Sequence, residues 1–188
     1  MLILASASPR RRDLLEQIGL TFTVETADID ETPQVGEGPL RYVMRLAEHK
    51  AAAVFARQGN AARTVVLGAD TAVVCGGHIL GKPVDEADAA RMLRLLAGRT
   101  HEVMTGVALV TASAPPLVEA EVTEVTFNAL SEREIAAYVA TGEPMGKAGA
   151  YAIQGRAARF IPRIEGCYFN VVGLPLARVS AMLERLER

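Results

Sequence analysis

Apolar residues fall into two kinds of grouping along the chain: short runs bounded by small or polar residues, and longer stretches where they recur every third or fourth position. Leu2-Ile3-Leu4 opens the chain as a buried strand. Ser6-Ala7-Ser8 forms a small-residue corner and Pro9 starts a helix, with Ser8 suited to the N-cap and Leu14, Leu15 and Ile18 on the inner face. Gly19 can close that helix. Phe22-Thr23-Val24 is a short strand, followed by the polar loop Asp28-Ile29-Asp30-Glu31-Thr32-Pro33. A second helix, from Pro39 to about Arg57, sets Val43, Leu46, Ala47 and Val54 on one face. The most apolar run, Thr64 to Val74, predicts a central strand, and Gly76-Gly77 turns it back into His78-Ile79-Leu80.

Asp85 can cap a helix carrying Met92, Leu93 and Leu96, which Gly98 ends. Strands over 101–110 and 117–127 flank the loop Ala112-Ser113-Ala114-Pro115-Pro116. The apolar parity of the second strand is uneven, which predicts a bulge or a twist. Ser131-Glu132-Arg133-Glu134 is a capping box for a short helix that stops near Gly142. The stretch Gly142 to Gly155 is rich in glycine and carries Lys147, Tyr151 and Gln154, which fits a loop closing over a ligand. A last helix turns Val179, Leu183 and Leu186 inward. The mixture predicts an α/β protein. No repeat, low-complexity tract or linker divides it, so a single domain over 1–188, at most two closely joined lobes, is expected.

Composition narrows the field. Half the residues are apolar and 22% are charged, with a net charge of −2. That balance gives no long-range pull on nucleic acid or an anionic membrane, so neither is an expected partner, and any phosphate binding must be local. Cys75 and Cys167 are isolated, without zinc-ligand spacing. Two distant thiols, no signal-peptide layout and no apolar run of membrane length lead to the expectation of a cytoplasmic protein.

Five features point beyond a purely structural role. Arg10, Arg11 and Arg12 occupy the first turn of the opening helix, where the helix dipole disfavours cations. With Ser6, Ser8 and the free N–H groups they make a corner for a polyanion, most naturally phosphate; the plainer reading is a solvated basic turn. Lys50 is centred on the apolar stripe of the second helix, so it either snorkels or meets an anion. Asp70 interrupts the most apolar strand, where it needs a cationic partner, or else a polar cleft in which to hold a metal or take a proton. Lys82, in Gly81-Lys82-Pro83, is a second cation close by in sequence. Glu31 and its acidic neighbours are ordinary solvated loop residues or ligands for the magnesium of a triphosphate.

Ser6-Ala7-Ser8-Pro9-Arg10-Arg11, Gly68-Ala69-Asp70-Thr71, Gly81-Lys82-Pro83, Lys147-Ala148-Gly149-Ala150-Tyr151-Ala152-Ile153-Gln154-Gly155 and Val172-Gly173-Leu174-Pro175-Leu176 occur in the order and spacing of the Maf family, which the chain resembles nearly end to end. The resemblance implies an elongated mixed β-sheet flanked by helices, two lobes with a central cleft, similar to the inosine triphosphate pyrophosphatases. It implies a nucleoside triphosphate pyrophosphatase using a divalent metal, magnesium first and manganese as the alternative, with a homodimer left open. Carried over by position, Ser6, Arg10, Arg11, Lys50, Thr71 and Gln154 bind substrate, Glu31 and Asp70 hold metal, and Asp70 and Lys82 are catalytic. Asp70 matches the family's proposed proton acceptor. Arg10, Thr71 and Gln154 resemble the dTTP/UTP branch; the branch acting on 7-methyl-GTP has Trp, Gln and Glu at these places. Met145 and Cys167 depart from the branch, which often carries Asp and Ser there.

The resemblance thus implies attack of water on the α-phosphorus, releasing a nucleoside monophosphate and pyrophosphate, with Arg11, Lys50 and Lys82 neutralising the leaving group. Removal of non-standard or excess pyrimidine triphosphates would be the purpose. Two alternatives stand beside it: a non-catalytic nucleotide-binding regulator of cell division, and a purine-directed housekeeping pyrophosphatase. Asp70 separates enzyme from binder, since a carboxylate beside a polyanion repels it unless metal is present.

Overall fold

A computed structural model describes residues 1–59 and 63–186; the rest of the expected 1–188 span lies outside the described residues. The elements are β1 (Leu2–Ala5), α1 (Pro9–Gln17), β2 (Phe22–Glu25), α2 (Pro39–Arg57), β3 (Val65–Cys75), β4 (His78–Leu80), α3 (Glu86–Leu96), β5 (Thr100–Val110), β6 (Leu117–Thr126), α4 (Glu132–Val139), β7 (Arg163–Glu165), α5 (Tyr168–Val172) and α6 (Leu176–Leu186). The strands hydrogen-bond in the order β2-β1-β3-β5-β6-β7, with β4 on β3. β1 runs parallel to β2 and β3, whereas β4 and β7 are antiparallel to their neighbours, so the sheet is mixed. Among the described residues no helix is long and apolar enough to cross a membrane.

The chain divides into two compact units. The first comprises Met1–Asp70, Thr105–Glu121 and Gly173–Arg188. Its parallel strands follow from the connections: α1 and α2 are crossovers, which parallel neighbours require. The core here gathers Ile3, Ala5, Ala47, Ala51, Val54, Phe55, Val66, Ala108 and Val110. Two glycines bring α2 down onto the strands. A Cβ on Gly68 would lie 2.1 Å from the Ala47 carbonyl oxygen, and one on Gly106 would lie 2.3 Å from that of Val43. Backbone therefore meets backbone at both points.

Several expectations need correction in this unit. Ser8 sits at the N-cap of α1, but its hydroxyl caps nothing; its N–H donates to Ser6 Oγ at 3.2 Å. Ile18 is 38% exposed, because α1 ends at Gln17 and the backbone has already left the helix at Ile18. In α6 the buried set is Leu176, Val179 and Met182, while Leu183 and Leu186 are half-buried. Arg178 pairs with Glu119 and Glu121, and Arg185 with Glu119, which fixes the rotation of that helix.

The second unit, Thr71–Met104 and Val122–Val172, has its own core around Leu93, Leu96, Val103, Val125, Phe127, Ile135, Tyr138 and Phe160. Asp85 caps α3 by accepting from Asp88 N–H, and the capping box of α4 forms in full. Gly76 and Gly77 both take positive φ, as a tight hairpin turn between paired strands requires. Residues Leu117–Glu121 of β6 are half-buried on both faces, and alternation begins beyond them, where the strand passes into this unit. The uneven parity read in the sequence has its origin there.

The glycine-rich stretch is pinned rather than free. Tyr151 is 6% exposed, its hydroxyl 2.9 Å from His101 Nε2, and the Lys147 ammonium donates to the Glu143 carbonyl at 2.6 Å. Tyr151 belongs to the core because its ring packs edge-on against Phe127 and His101.

His101 is 2% exposed and its Nδ1 has no hydrogen-bond partner. Burial pushes its pKa down to about 4. The folded state therefore binds fewer protons than the unfolded state as pH falls from 6.5 toward 4. Stability is complete above that window and should decline across it by about 3 kcal/mol in all. Urea unfolding between pH 7 and 5 should show this slope, and His101→Phe should flatten it; an unchanged slope would assign the acid sensitivity elsewhere.

Candidate functional site

The parallel strands set the place. Ala5 pairs with Glu25 and with Gly68, so β1, β2 and the first half of β3 end side by side. Ser6, the loop that carries Glu31, and Asp70 all lie just beyond these carboxyl ends, where α/β sheets commonly bind ligands. α1 begins at the same edge.

Arg11, read as one of three phosphate-facing guanidiniums, is buried at 9% exposure. Its Nε donates to the Gly173 carbonyl at 2.8 Å, and its Nη1 to the Ala69 carbonyl at 2.9 Å and Ser6 Oγ at 3.2 Å. Burial pulls its pKa down, the charges of Asp70 and Glu31 pull it back up, and Arg10 adds to the lowering. Arg11 thus ties the start of α1 to the residue before Asp70. Arg10 is half-buried, while Arg12 turns outward toward Asp13 and Glu16, at 3.6 and 3.8 Å. The basic corner is therefore Arg10 and Arg11, without Arg12, which a helical rotation of one residue carries to the exposed face.

Lys50 meets anions. Its ammonium lies 2.6 Å from Asp70 Oδ1 and 2.7 Å from Glu31 Oε1. The Lys50 and Asp70 side chains are each 13% exposed, whereas Glu31 is 50% exposed. The misfit lysine and the misfit aspartate are thus each other's explanation. Asp30, by contrast, folds back onto Thr32, whose side chain and then its N–H, at 2.9 Å, lower the pKa of the carboxyl.

Tyr42 and Arg45 hold the Glu31 loop in place, and the sequence reading did not single them out. The Tyr42 hydroxyl donates to the Glu31 carbonyl at 3.0 Å. Arg45 grips the Glu37 carboxylate with two hydrogen bonds of 2.6 and 2.7 Å, and donates to the Thr32 carbonyl at 3.2 Å. The Arg45 guanidinium holds Glu37 down to about 2. The available signal was the pair of polar residues three apart on α2, one turn beyond Pro39, facing an acidic loop.

Thr71, Lys82 and Gln154 belong to the second unit. Thr71 is half-buried on β3; Lys82 and Gln154 are exposed. Gly149 N–H donates to the Gly81 carbonyl at 3.1 Å, which links the turn of Lys82 to the segment that leads to Gln154. Met145 packs against the apolar core of this unit, and Cys167 bonds Thr123 Oγ1 through both its backbone groups.

Glu31 and Asp70 are oxygen donors that converge on one cation, which is the donor set a divalent ion of the magnesium type accepts: one or two carboxylates, with phosphate and water completing the shell. Among the described residues no group of three or more His, Cys, Asp or Glu could hold a metal alone. Ser6 Oγ accepts from both Ser8 N–H and Arg11, which leaves its own proton for an anion.

A family model described as Maf-like protein matches residues 1–186. A protein of Pelotomaculum thermopropionicum named dTTP/UTP pyrophosphatase is 57% identical over 185 residues, covering 98% of this chain and 95% of that protein. One of Koribacter versatilis with the same name is 55% identical, covering 98% and 93%. Among solved structures, a nucleoside-triphosphatase, dITP/XTP pyrophosphatase, of Mycobacterium abscessus is 16% identical over 67% of this chain and 73% of that one, with a TM-score of 0.44.

The buried ion pair sets a stability test. Lys50→Met leaves Asp70 without its cation and should cost about 3 kcal/mol in urea unfolding, much of which Asp70→Asn in the same chain should restore. Additive losses would show that the two side chains do not stabilise each other.

Proposed function

The chain belongs to the Maf-like family, and on that basis we propose that it is a cytoplasmic nucleoside triphosphate pyrophosphatase, converting dTTP and UTP to the monophosphate and pyrophosphate. The names carried by its relatives support the substrate. The observation that carries the chemistry is the meeting of Glu31, Lys50 and Asp70 beside Ser6 and Arg11, at the carboxyl ends of β1 and β2 and the middle of β3.

Ser6 and the N–H groups at the start of α1 donate to phosphate oxygens, and Arg10 adds positive charge there. Glu31 and Asp70 would hold a divalent cation, magnesium or manganese, which supplies charge neutralisation on the phosphate oxygens when bound. Asp70 takes the proton of the attacking water, whose oxygen bonds the α-phosphorus as the bond to the bridging oxygen of pyrophosphate breaks. Lys50, which in this structure orients the Asp70 carboxylate, neutralises charge on the departing pyrophosphate together with Lys82. Arg11 works from beneath by fixing Ser6 and the Ala69 carbonyl next to Asp70.

Arg10, Thr71 and Gln154 suit a uracil or thymine edge. They offer a guanidinium donor, a hydroxyl that gives or takes, and an amide that does both. Cytosine reverses donor and acceptor at that edge and leaves groups unpaired. UTP and dTTP should therefore exceed CTP in kcat/KM on the order of a hundredfold. 7-Methyl-GTP should be poor, since its cationic ring wants an aromatic face.

Chromatography of products from a nucleotide panel with magnesium tests the reading. UMP and pyrophosphate are expected; UDP and orthophosphate would place cleavage at the γ-phosphate and refute it. No turnover at all would favour a nucleotide-binding regulator. Asp70→Asn should retain the fold and lose roughly two or more orders of magnitude in turnover. A folded Asp70→Asn protein with near-normal rates would make Asp70 a structural partner of Lys50.

A further inference from the structure

In the second unit, Gln154 occupies the third position of a turn that Gly155 N–H closes on the Ala152 carbonyl at 3.0 Å. Both ends of that turn are held from outside it. The Tyr138 hydroxyl accepts from Ala152 N–H at 3.3 Å and donates to Glu143 Oε1 at 2.8 Å. Glu143 Oε2 accepts from Arg156 N–H at 3.0 Å. The same carboxylate lies against Gly155 so closely that a Cβ there would be 2.3 Å from Oε1. One carboxylate and one hydroxyl thus bracket Gln154 on either side along the chain.

The bracket is itself fixed. Tyr138 is 1% exposed on α4. Glu143 N–H donates to Thr141 Oγ1 at 3.2 Å, and the Glu143 carbonyl accepts from Lys147. Burial raises the pKa of Glu143, but the N–H groups of Arg156 and Ala157, the Tyr138 hydroxyl and Lys147 outweigh it, so the net shift is downward. Burial and the neighbouring carboxylate push the Tyr138 hydroxyl up. The hydroxyl therefore stays a donor and the carboxylate an acceptor. Gln154, in contrast, is exposed.

We propose that Glu143 and Tyr138 are positioning residues for base selection: they fix the turn that presents the Gln154 amide, and so set which edge of a base it can pair with. The proposal rests on the reading of Gln154 as a base contact. Hydrogen-bond discrimination is steep in geometry, so a turn that wanders loses selectivity before it loses the reaction.

The test compares kcat and KM for UTP and CTP in Gln154→Ala, Tyr138→Phe, Glu143→Gln and the Glu143→Gln/Gln154→Ala double variant, with thermal melts confirming the fold. Gln154→Ala should lower the UTP-to-CTP ratio of kcat/KM by about tenfold or more, the size of a lost buried hydrogen bond. Tyr138→Phe and Glu143→Gln should each lower it about fivefold, through a higher KM for UTP with kcat for UTP within about twofold of the unsubstituted protein. The double variant should lose no more than Gln154→Ala alone, because the bracket acts through that side chain. If Gln154→Ala abolishes selectivity while folded Tyr138→Phe and Glu143→Gln proteins keep it, the bracket is merely structural and the proposal falls. If Gln154→Ala leaves the ratio intact, the reading of Gln154 falls and takes the proposal with it. Should Tyr138→Phe fail to fold, Glu143→Gln decides alone, since it preserves volume and one acceptor oxygen.

Discussion

A cation set largely out of water, on the apolar face of a helix, organises the first unit. Lys50 stands on the apolar face of α2, among Val43, Leu46, Ala47 and Val54, where an unpaired ammonium would carry a desolvation cost of several kcal/mol. Glu31 and Asp70 offset that cost, and in doing so the three side chains are drawn to one point from a loop, a helix and a strand. A charged group at that point is then both a stabilising contact and a chemical resource. On the proposed reading, a triphosphate would compete with the two carboxylates for the lysine.

The approach of α2 to the strands sets the reach of Lys50. Gly68 and Gly106 bring the helix backbone into contact with the sheet, and Gly68 lies two residues before Asp70. A side chain at either glycine would lift α2 and lengthen the distance its lysine must span. Arg11 provides the second constraint, since it holds the Ala69 carbonyl and Ser6 in one frame. Asp70 is therefore positioned from both sides: by the helix above it through Lys50, and by α1 through its preceding residue.

Much of this was legible in the sequence for one reason: residues that violate local rules announce themselves. A lysine on an apolar stripe, an aspartate in an apolar strand and arginines at a helix start each broke a pattern, and two of the three proved to be partners. Helix and strand limits were legible because Pro39, Asp85, Ser131, Gly76 and Gly77 carry their own backbone chemistry. What stayed hidden depends on rotation or on distance along the chain. The outward turn of Arg12 and the choice of Met182 over Leu183 are matters of helix rotation, which neighbours decide. Tyr42 and Arg45 obey every local rule, so their spacing of three on α2, the one trace of the clamp on the Glu31 loop, broke no pattern. Tyr151 looked like a ligand contact because polar tips and apolar rings read alike in a glycine-rich stretch.

Arg11 donates to Gly173 across 162 positions of sequence. A ribosome making this chain therefore completes the arginine long before the carbonyl that will receive it exists. Until Gly173 emerges, the guanidinium has no such oxygen to dock on, and Arg178 of α6 is not yet there to pair with Glu119 and Glu121. The corner at the start of α1 therefore reaches its final geometry only once Gly173 has joined it. A chain lacking Gly173 would hold Arg11 and Ser6 without the carbonyl that fixes the guanidinium between them and the strand.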